Sequence, residues 1–266
     1  MKVVFLDFGV FMHRAIFAGA NNERIIPTYL ALTMMLACLN RIEIYPDDLI
    51  IVAVDSPKGS WRKDIDIAYK ANRRKARERS NIDWKKQFSD FDKFRTSLEE
   101  GTPFFLIEID RLEADDIIAF GTRYYSDSEC VIVSSDSDFE QLTAHPNVKI
   151  FSPITKKYKH VKNPYILIGK KIHKEVADNL VTPILSQIDY DRRNTIVNLT
   201  ALPKDVEDKI EIEFQNLPEM KYYNTNRIVF RSLRDRIEKI YNNDKIVPFE
   251  EKKKRKKKKS KKKGDK

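Results

Sequence analysis

Residues 113–142, EADDIIAFGTRYYSDSECVIVSSDSDFEQL, hold the densest set of chemically capable side chains in this 266-residue sequence. Glu113, Asp115 and Asp116 fall within four positions, and Asp136 and Asp138 come soon after the apolar run of Cys130, Val131, Ile132 and Val133. Five carboxylates brought together would repel one another strongly unless cations held them. A donor set made only of oxygen suits magnesium or manganese. Ions held this way activate water and stabilise charge on attacking and leaving oxygens. Taken alone, the stretch is also explained by a helix cap and an Asp-rich loop.

The elements that must position these groups are legible in the hydrophobic pattern. The acidic residues precede Ile117, Ile118, Ala119 and Phe120, so Asp115 and Asp116 are expected in the first turn of a helix, where carboxylates suit the dipole. The run 130–133 predicts a strand, and alternation would deliver Asp136 and Asp138 to one side of its carboxyl end. Two further apolar strands end in acid: KVVFL at 2–6 runs into Asp7, and LIIVAV at 49–54 runs into Asp55. In open parallel α/β sheets that end is where ligand sites collect. Helices are predicted over 11–19 and 27–42, with Leu30, Met34, Met35 and Leu39 as core. Arg14 lies one helical stretch beyond Asp7 and is expected to face the same site. Strands near 103–109 and, at an edge, 148–154 complete an α/β pattern, a mostly parallel sheet with helices on both faces.

Between the second and third strands the chain turns basic. Residues 60–88 combine Arg62, Lys63, Lys70, Arg73, Arg74, Lys75, Arg77 and Arg79 with Trp61, Tyr69 and Trp84. That mix fits a surface that grips phosphates and stacks on bases, although a solvated helix face has a similar composition. The net charge of +10 has another origin: residues 251–266 carry 12 Lys or Arg against Glu251 and Asp265, and the preceding 250 residues balance at 38 of each sign. Such a run has no apolar surface to bury and is expected to be disordered. Its physical use is attraction to a polyanion through counterion release, with solubility and nuclear targeting as alternatives.

Composition excludes several classes. Cys38 and Cys130 lie in apolar stretches without close Cys or His companions, so no disulfide framework or zinc site is indicated, and His13, His145, His160 and His173 carry no ligand spacing. No apolar run approaches a membrane span, and the first residues enter a strand pattern without a charged leader. A soluble, cytoplasmic monomer is expected.

These residues resemble the flap endonuclease or 5′-3′ exonuclease superfamily, with its PIN-like nuclease fold. The likeness is carried by Asp7 and Arg14 in LDFGVFMHRAIF, Asp55 in VAVD, WR and YKANR within 61–73, EADD at 113–116, and the DxD of SSDSDFEQL. It runs to about residue 162 and is closest to the ribonuclease H branch carried by T-even bacteriophages. KEVADNL at 174–180 is similar to the family's GDxxDN segment, with Glu175 and Asp178 three apart, while the Gly-rich helix-hairpin-helix looks shortened.

The resemblance implies a PIN-like catalytic domain over 1–162 with a basic helical arch over about 70–98. It implies a helical C-terminal region over 163–248 and leaves 249–266 as the Lys-rich tail. It implies two magnesium ions, with manganese able to substitute: Asp7, Asp55, Asp115 and Asp136 at the first, Glu113 and Asp116 close by, and Asp138, Asp178 and Glu175 at the second. Lys70 would steady the scissile phosphate, and Arg14, Arg62 and Arg73, with Arg74, Lys75 and Arg77 of the arch, would contact nucleic acid. The implied activity is 5′-3′ exonuclease, flap endonuclease and ribonuclease H action on RNA–DNA hybrids and duplex or flap DNA. Primer removal during replication would bring it to a single-strand-binding protein or sliding clamp.

Three rivals are weighed against this. A haloacid-dehalogenase-type phosphotransferase wants a carboxylate two positions after the first Asp, where Gly9 stands. A nucleotide kinase lacks its GxxxxGK loop. A noncatalytic nucleic-acid-binding relative acting through its basic tail would have no use for an intact carboxylate set that costs stability without metal.

Overall fold

The computed structural model describes residues 1–218 and 221–241. Six strands form a single sheet in the order β3-β2-β1-β4-β5-β6. They are β1 (Lys2–Asp7), β2 (Leu49–Val54), β3 (Phe105–Glu108), β4 (Glu129–Val133), β5 (Val148–Ser152) and β6 (Lys157–Tyr158). The first five pair in parallel, and β6 adds antiparallel to β5. The strand expected at the edge, 148–154, is therefore flanked: a turn at Lys156, with φ of 55°, sends the chain back as β6.

Because helices cover both faces, the inner strands read as unbroken apolar runs rather than alternating ones. Along β1, Val4 and Leu6 enter one core while Val3 and Phe5 enter the other. The first core receives α1 (Phe8–Asn21), α2 (Pro27–Ile42) and α5 (Trp84–Gly101), the last through Phe91, Phe94 and Leu98 at helical spacing. The second receives α6 (Ala114–Tyr124), which lies directly on the sheet. A Cβ at Gly121 would stand 2.5 Å from the Phe5 ring and 3.1 Å from the Phe214 ring.

The basic stretch expected as one helical arch is two helices. After the short α3 (Arg62–Ile65), α4 (Ala71–Glu78) buries no residue, and the chain breaks over 79–83 before α5. Asp83 starts α5 by accepting a hydrogen bond from the Lys86 amide at 3.0 Å.

The C-terminal helices fold back onto the same sheet. They are α7 (Ile166–His173), α8 (Gln187–Val197), α9 (Lys204–Gln215) and α10 (Arg231–Tyr241). Val206, Ile210 and Phe214 of α9 join the α6 side, and Leu233, Ile237 and Ile240 of α10 join the α1–α2–α5 side. Packing runs across the sequence boundary near residue 162. Residues 242–266, with the Lys-rich tail, lie outside the described residues.

This packing predicts that Phe214→Ala lowers stability by about 3–5 kcal/mol, the cost of emptying a buried aromatic site. Urea unfolding should remain one transition shifted to lower denaturant. Two separate transitions would show that the C-terminal helices fold on their own.

Candidate active site

The strand order reverses between β1 and β4, and crevices of that kind open at the carboxyl ends of the strands. Asp7 is the last residue of β1, and Asp136 follows β4 across the crevice. Asp55 follows β2 directly, and Asp115 sits in the first turn of α6. The sequence thus brings four carboxylates to one end of the sheet from four separate elements.

Each is oriented by its neighbours. Ser134 donates its hydroxyl to Asp7 at 2.7 Å and accepts from the Asp136 amide at 3.0 Å, holding both acids from one side chain. The Ala114 amide at the head of α6 donates to Asp55 at 2.8 Å. Burial pushes the Asp7 carboxyl up to about 7, and the charges of Asp55 and Asp136 add to the rise. Burial likewise holds Asp115 well above the usual carboxylate range, with Asp136, Asp7 and Glu113 pushing the same way against Lys70. Carboxyl pKa values raised by this cause mark a site short of positive charge, and an all-oxygen donor set of this kind fits a hard divalent ion. Among the described residues no three such side chains are already drawn into a closed ligand shell, so an ion would have to gather them.

The alternation expected to put Asp136 and Asp138 on one side of the strand's carboxyl end does not extend to them. The strand ends at Val133, and the chain enters a 3₁₀ turn, Asp138–Ala144, with Asp136 accepting from the Asp138 amide at 2.9 Å. That Asx turn aims Asp138 toward α7 and the loop after it. There Lys171 forms an ion pair with Asp138 and stands 3.2 Å from Glu175, while Arg73 reaches Asp178 at 2.9 Å. Burial first, then Asp136, raises the Asp138 carboxyl to about 6.

Two expected site residues are structural instead. Asp116 is fully buried: it caps α6 by accepting from the Glu113 amide at 3.0 Å and takes Trp61 Nε1 at 3.0 Å and the Arg62 guanidinium at 2.7 Å. No face of it is open to an ion. Arg62, expected on a phosphate-gripping surface, is 2 % exposed; it bridges Asp116 and Glu113 and donates Nε to the Ile196 carbonyl at 2.8 Å. Trp61 is buried with it and offers no stacking face. Burial was invisible in the composition of residues 60–88, where every Arg looks alike.

Glu113 anchors rather than opens. Its Oε2 accepts from Ser60, Arg62 and Tyr69 at 3.0, 2.8 and 3.0 Å, and Oε1 takes Lys70 Nζ at 2.5 Å. Burial alone would raise this acid, but Lys70 and Arg62 overcome it and bring it to about 2. Lys70 is thereby fixed as a cation: burial pulls its ammonium down, but Glu113, Tyr69, Asp115 and Asp178 together hold it well above the ordinary lysine range.

A groove of about 750 Å³ opens beside Asp55 and Glu113, walled by α1, α4 and α5. Lys70, Arg73 and Arg77 line it together with His13, Phe17, Trp84 and Phe88, and the Arg77 guanidinium lies 5.6 Å from the Phe88 ring centre. The Trp84 ring packs 5.8 Å from His13, 5.8 Å from Phe17 and 5.6 Å from Phe88. Arg74 and Lys75 are exposed on α4, where Arg74 pairs with Glu78 at 3.3 Å. Arg14 is exposed on α1 and is not among the groove's lining residues. The residues that sequence reasoning missed are Ser134, His13, Phe17, Phe88 and Lys171. Only Lys171, four positions before Glu175, left a trace in the spacing.

Two outcomes follow from these contacts. Arg62→Met should lower stability by about 3–5 kcal/mol in thermal or urea unfolding, because Glu113 and Asp116 stay buried without their cation. The Asp7 carboxyl ordinarily titrates at 3.8, so between there and about 7 the folded chain holds a proton that the unfolded chain has released. Stability of the metal-free protein should therefore fall as pH rises through that window. Asp7→Asn should flatten the fall and raise stability at pH 8 by on the order of 2–4 kcal/mol in the same assay.

Residues 2–171 match the family described as 5′-3′ exonuclease, N-terminal resolvase-like domain. The chain is similar to the ribonuclease H of enterobacteria phage T4, at 32% identity over 215 residues covering 67% of this chain and 70% of that one. Among solved structures it resembles the T5 5′-exonuclease with bound zinc ions, at TM-score 0.59 and 18% identity. It also resembles a bacteriophage T5 flap endonuclease in complex with DNA and metal ions, at TM-score 0.60 and 17% identity. Each of these two matches covers 81% of this chain and 98% of the other. With four acids gathered at the switch point of a sheet shared with these nucleases, the chain belongs to the flap endonuclease and 5′-3′ exonuclease superfamily, whose members hydrolyse phosphodiester bonds.

Proposed function

We propose that this protein is a divalent-metal-dependent 5′ nuclease that removes RNA primers and other 5′ ends from duplexes during phage-type replication. The observation that carries the reading is the gathering of Asp7, Asp55, Asp115 and Asp136 beside a groove lined by cations and aromatic rings. The similarity to a phage ribonuclease H supports primer removal as the task. Such a role would bring it to replication proteins, a single-strand-binding protein or sliding clamp among them.

Asp7, Asp55, Asp115 and Asp136 would hold one magnesium ion, and Asp138, Asp178 and Glu175 a second. Magnesium supplies activation of water and charge stabilisation on the attacking and leaving oxygens. The chain's own residues do the rest. Lys70, held by Glu113 at 2.5 Å, presents a fixed positive charge beside the carboxylates, where a scissile phosphate would sit. Arg73 and Arg77 take neighbouring phosphates. Trp84, Phe17, Phe88 and His13 give a single strand rings on which to stack, each worth about 1–3 kcal/mol per base. Residues 70–98 would thus act as the arch that admits a 5′ strand to the site.

The test is cleavage of a 5′-flap DNA and a primer-like RNA–DNA hybrid, with magnesium and with chelator. Short 5′ products should appear only with magnesium and fall at least about a hundredfold in Asp136→Ala, the scale of losing one preorganised charge. Binding without cleavage, equal in both proteins, would leave a noncatalytic nucleic-acid binder. A shortened chain ending at Glu250 should bind duplex more weakly and show a shallower dependence of affinity on salt, because its lost cations no longer release counterions. Fluorescence anisotropy across a salt series measures both.

A further inference from the structure

The two groups of carboxylates differ in one respect. Among the described residues, Asp7, Asp55, Asp115 and Asp136 form no ion pair with a lysine or arginine side chain, whereas Asp138, Glu175 and Asp178 are all paired. Lys171 supplies most of this. Its side chain, 14% exposed, pairs with Asp138 and lies 3.2 Å from Glu175 Oε2. Its position is built in from two directions. Lys171 stands in the last turn of α7 and Glu175 just beyond that helix, in a bridge with Leu180, while the Asx turn at Asp136 brings Asp138 in from the other side. Arg73 closes the group on Asp178 from α4, with a side chain half exposed to solvent.

We propose that Lys171 is a built-in competitor for the second ion. A lysine ammonium is a compact point charge with three donors on a flexible stem, so it can stand where a divalent ion would draw Asp138 and Glu175 together, and it can also withdraw. An ion entering there must first displace it. The protein therefore holds one ion tightly and a second only weakly, and Lys171 sets the difference. This inference rests on the metal reading given under Proposed function.

The test is titration of the metal-free protein with Mn²⁺, following the free ion by electron paramagnetic resonance. The wild type should show one tight site and one weak site. Lys171→Met should tighten the weak site by at least about tenfold and leave the tight one unchanged, within the range of ordinary coupling between charged sites. Lys171→Arg, which keeps the charge, should titrate like the wild type. Occupancy of the tight site reports that each variant is folded, and Lys171→Gln serves if the Met variant is not. An unchanged or weaker second site in the neutral variants would overturn the role of Lys171 while leaving the first site standing. Absence of any Mn²⁺ binding in the wild type would remove both.

Discussion

Like charges must be kept together at the mouth of a parallel sheet, and much of this structure is arranged around that constraint. Asp7, Asp55, Asp115 and Asp136 gain nothing from one another's company. They are held by covalent attachment to strands and a helix that the two hydrophobic cores fix in place. Small dipoles offset part of the repulsion: the Ser134 hydroxyl on Asp7 and the amide at the head of α6 on Asp55. Protonation of Asp7, whose carboxyl pKa is pushed up to about 7 by burial, offsets more. A frame built this way has its electrostatic cost set before any substrate arrives, the condition under which charge stabilisation is most effective.

Beneath the four acids lies a network with the opposite character. Arg62 is held by Glu113, Asp116 and the Ile196 carbonyl at the end of α8. Gln141 completes that helix end by donating to the Val197 carbonyl at 3.2 Å and accepting from the Leu199 amide at 2.8 Å. The C-terminal helices are therefore tied to the floor of the site by side chains as well as by apolar packing. Glu113 transmits this rigidity to Lys70, so the cation nearest the carboxylates is positioned by buried residues rather than by solvent-facing ones.

What could be read in the sequence was whatever is local. Strands β1, β2 and β4 declare themselves because strands buried on both faces must be apolar throughout, and the acids after them stand out against that background. The arch region was legible as basic and aromatic but not as two helices, since the break depends on Asp83 capping α5. The roles of Asp115 and Asp116 were not separable: adjacent in a first turn, they point about 100° apart, and only tertiary contact shows which of them meets Arg62. Lys171 is 33 positions from Asp138, and no local pattern announces that pairing. β6 is two residues long and paired across a turn, too short for any periodicity to mark it.

The most direct measurement is the anomalous scattering of crystals soaked in Mn²⁺. A peak should lie among the carboxylates of Asp7, Asp55, Asp115 and Asp136, with these side chains drawn closer together than in the metal-free protein. Full ion occupancy elsewhere with no peak among the four acids would contradict a metal-dependent nuclease site at the head of this sheet.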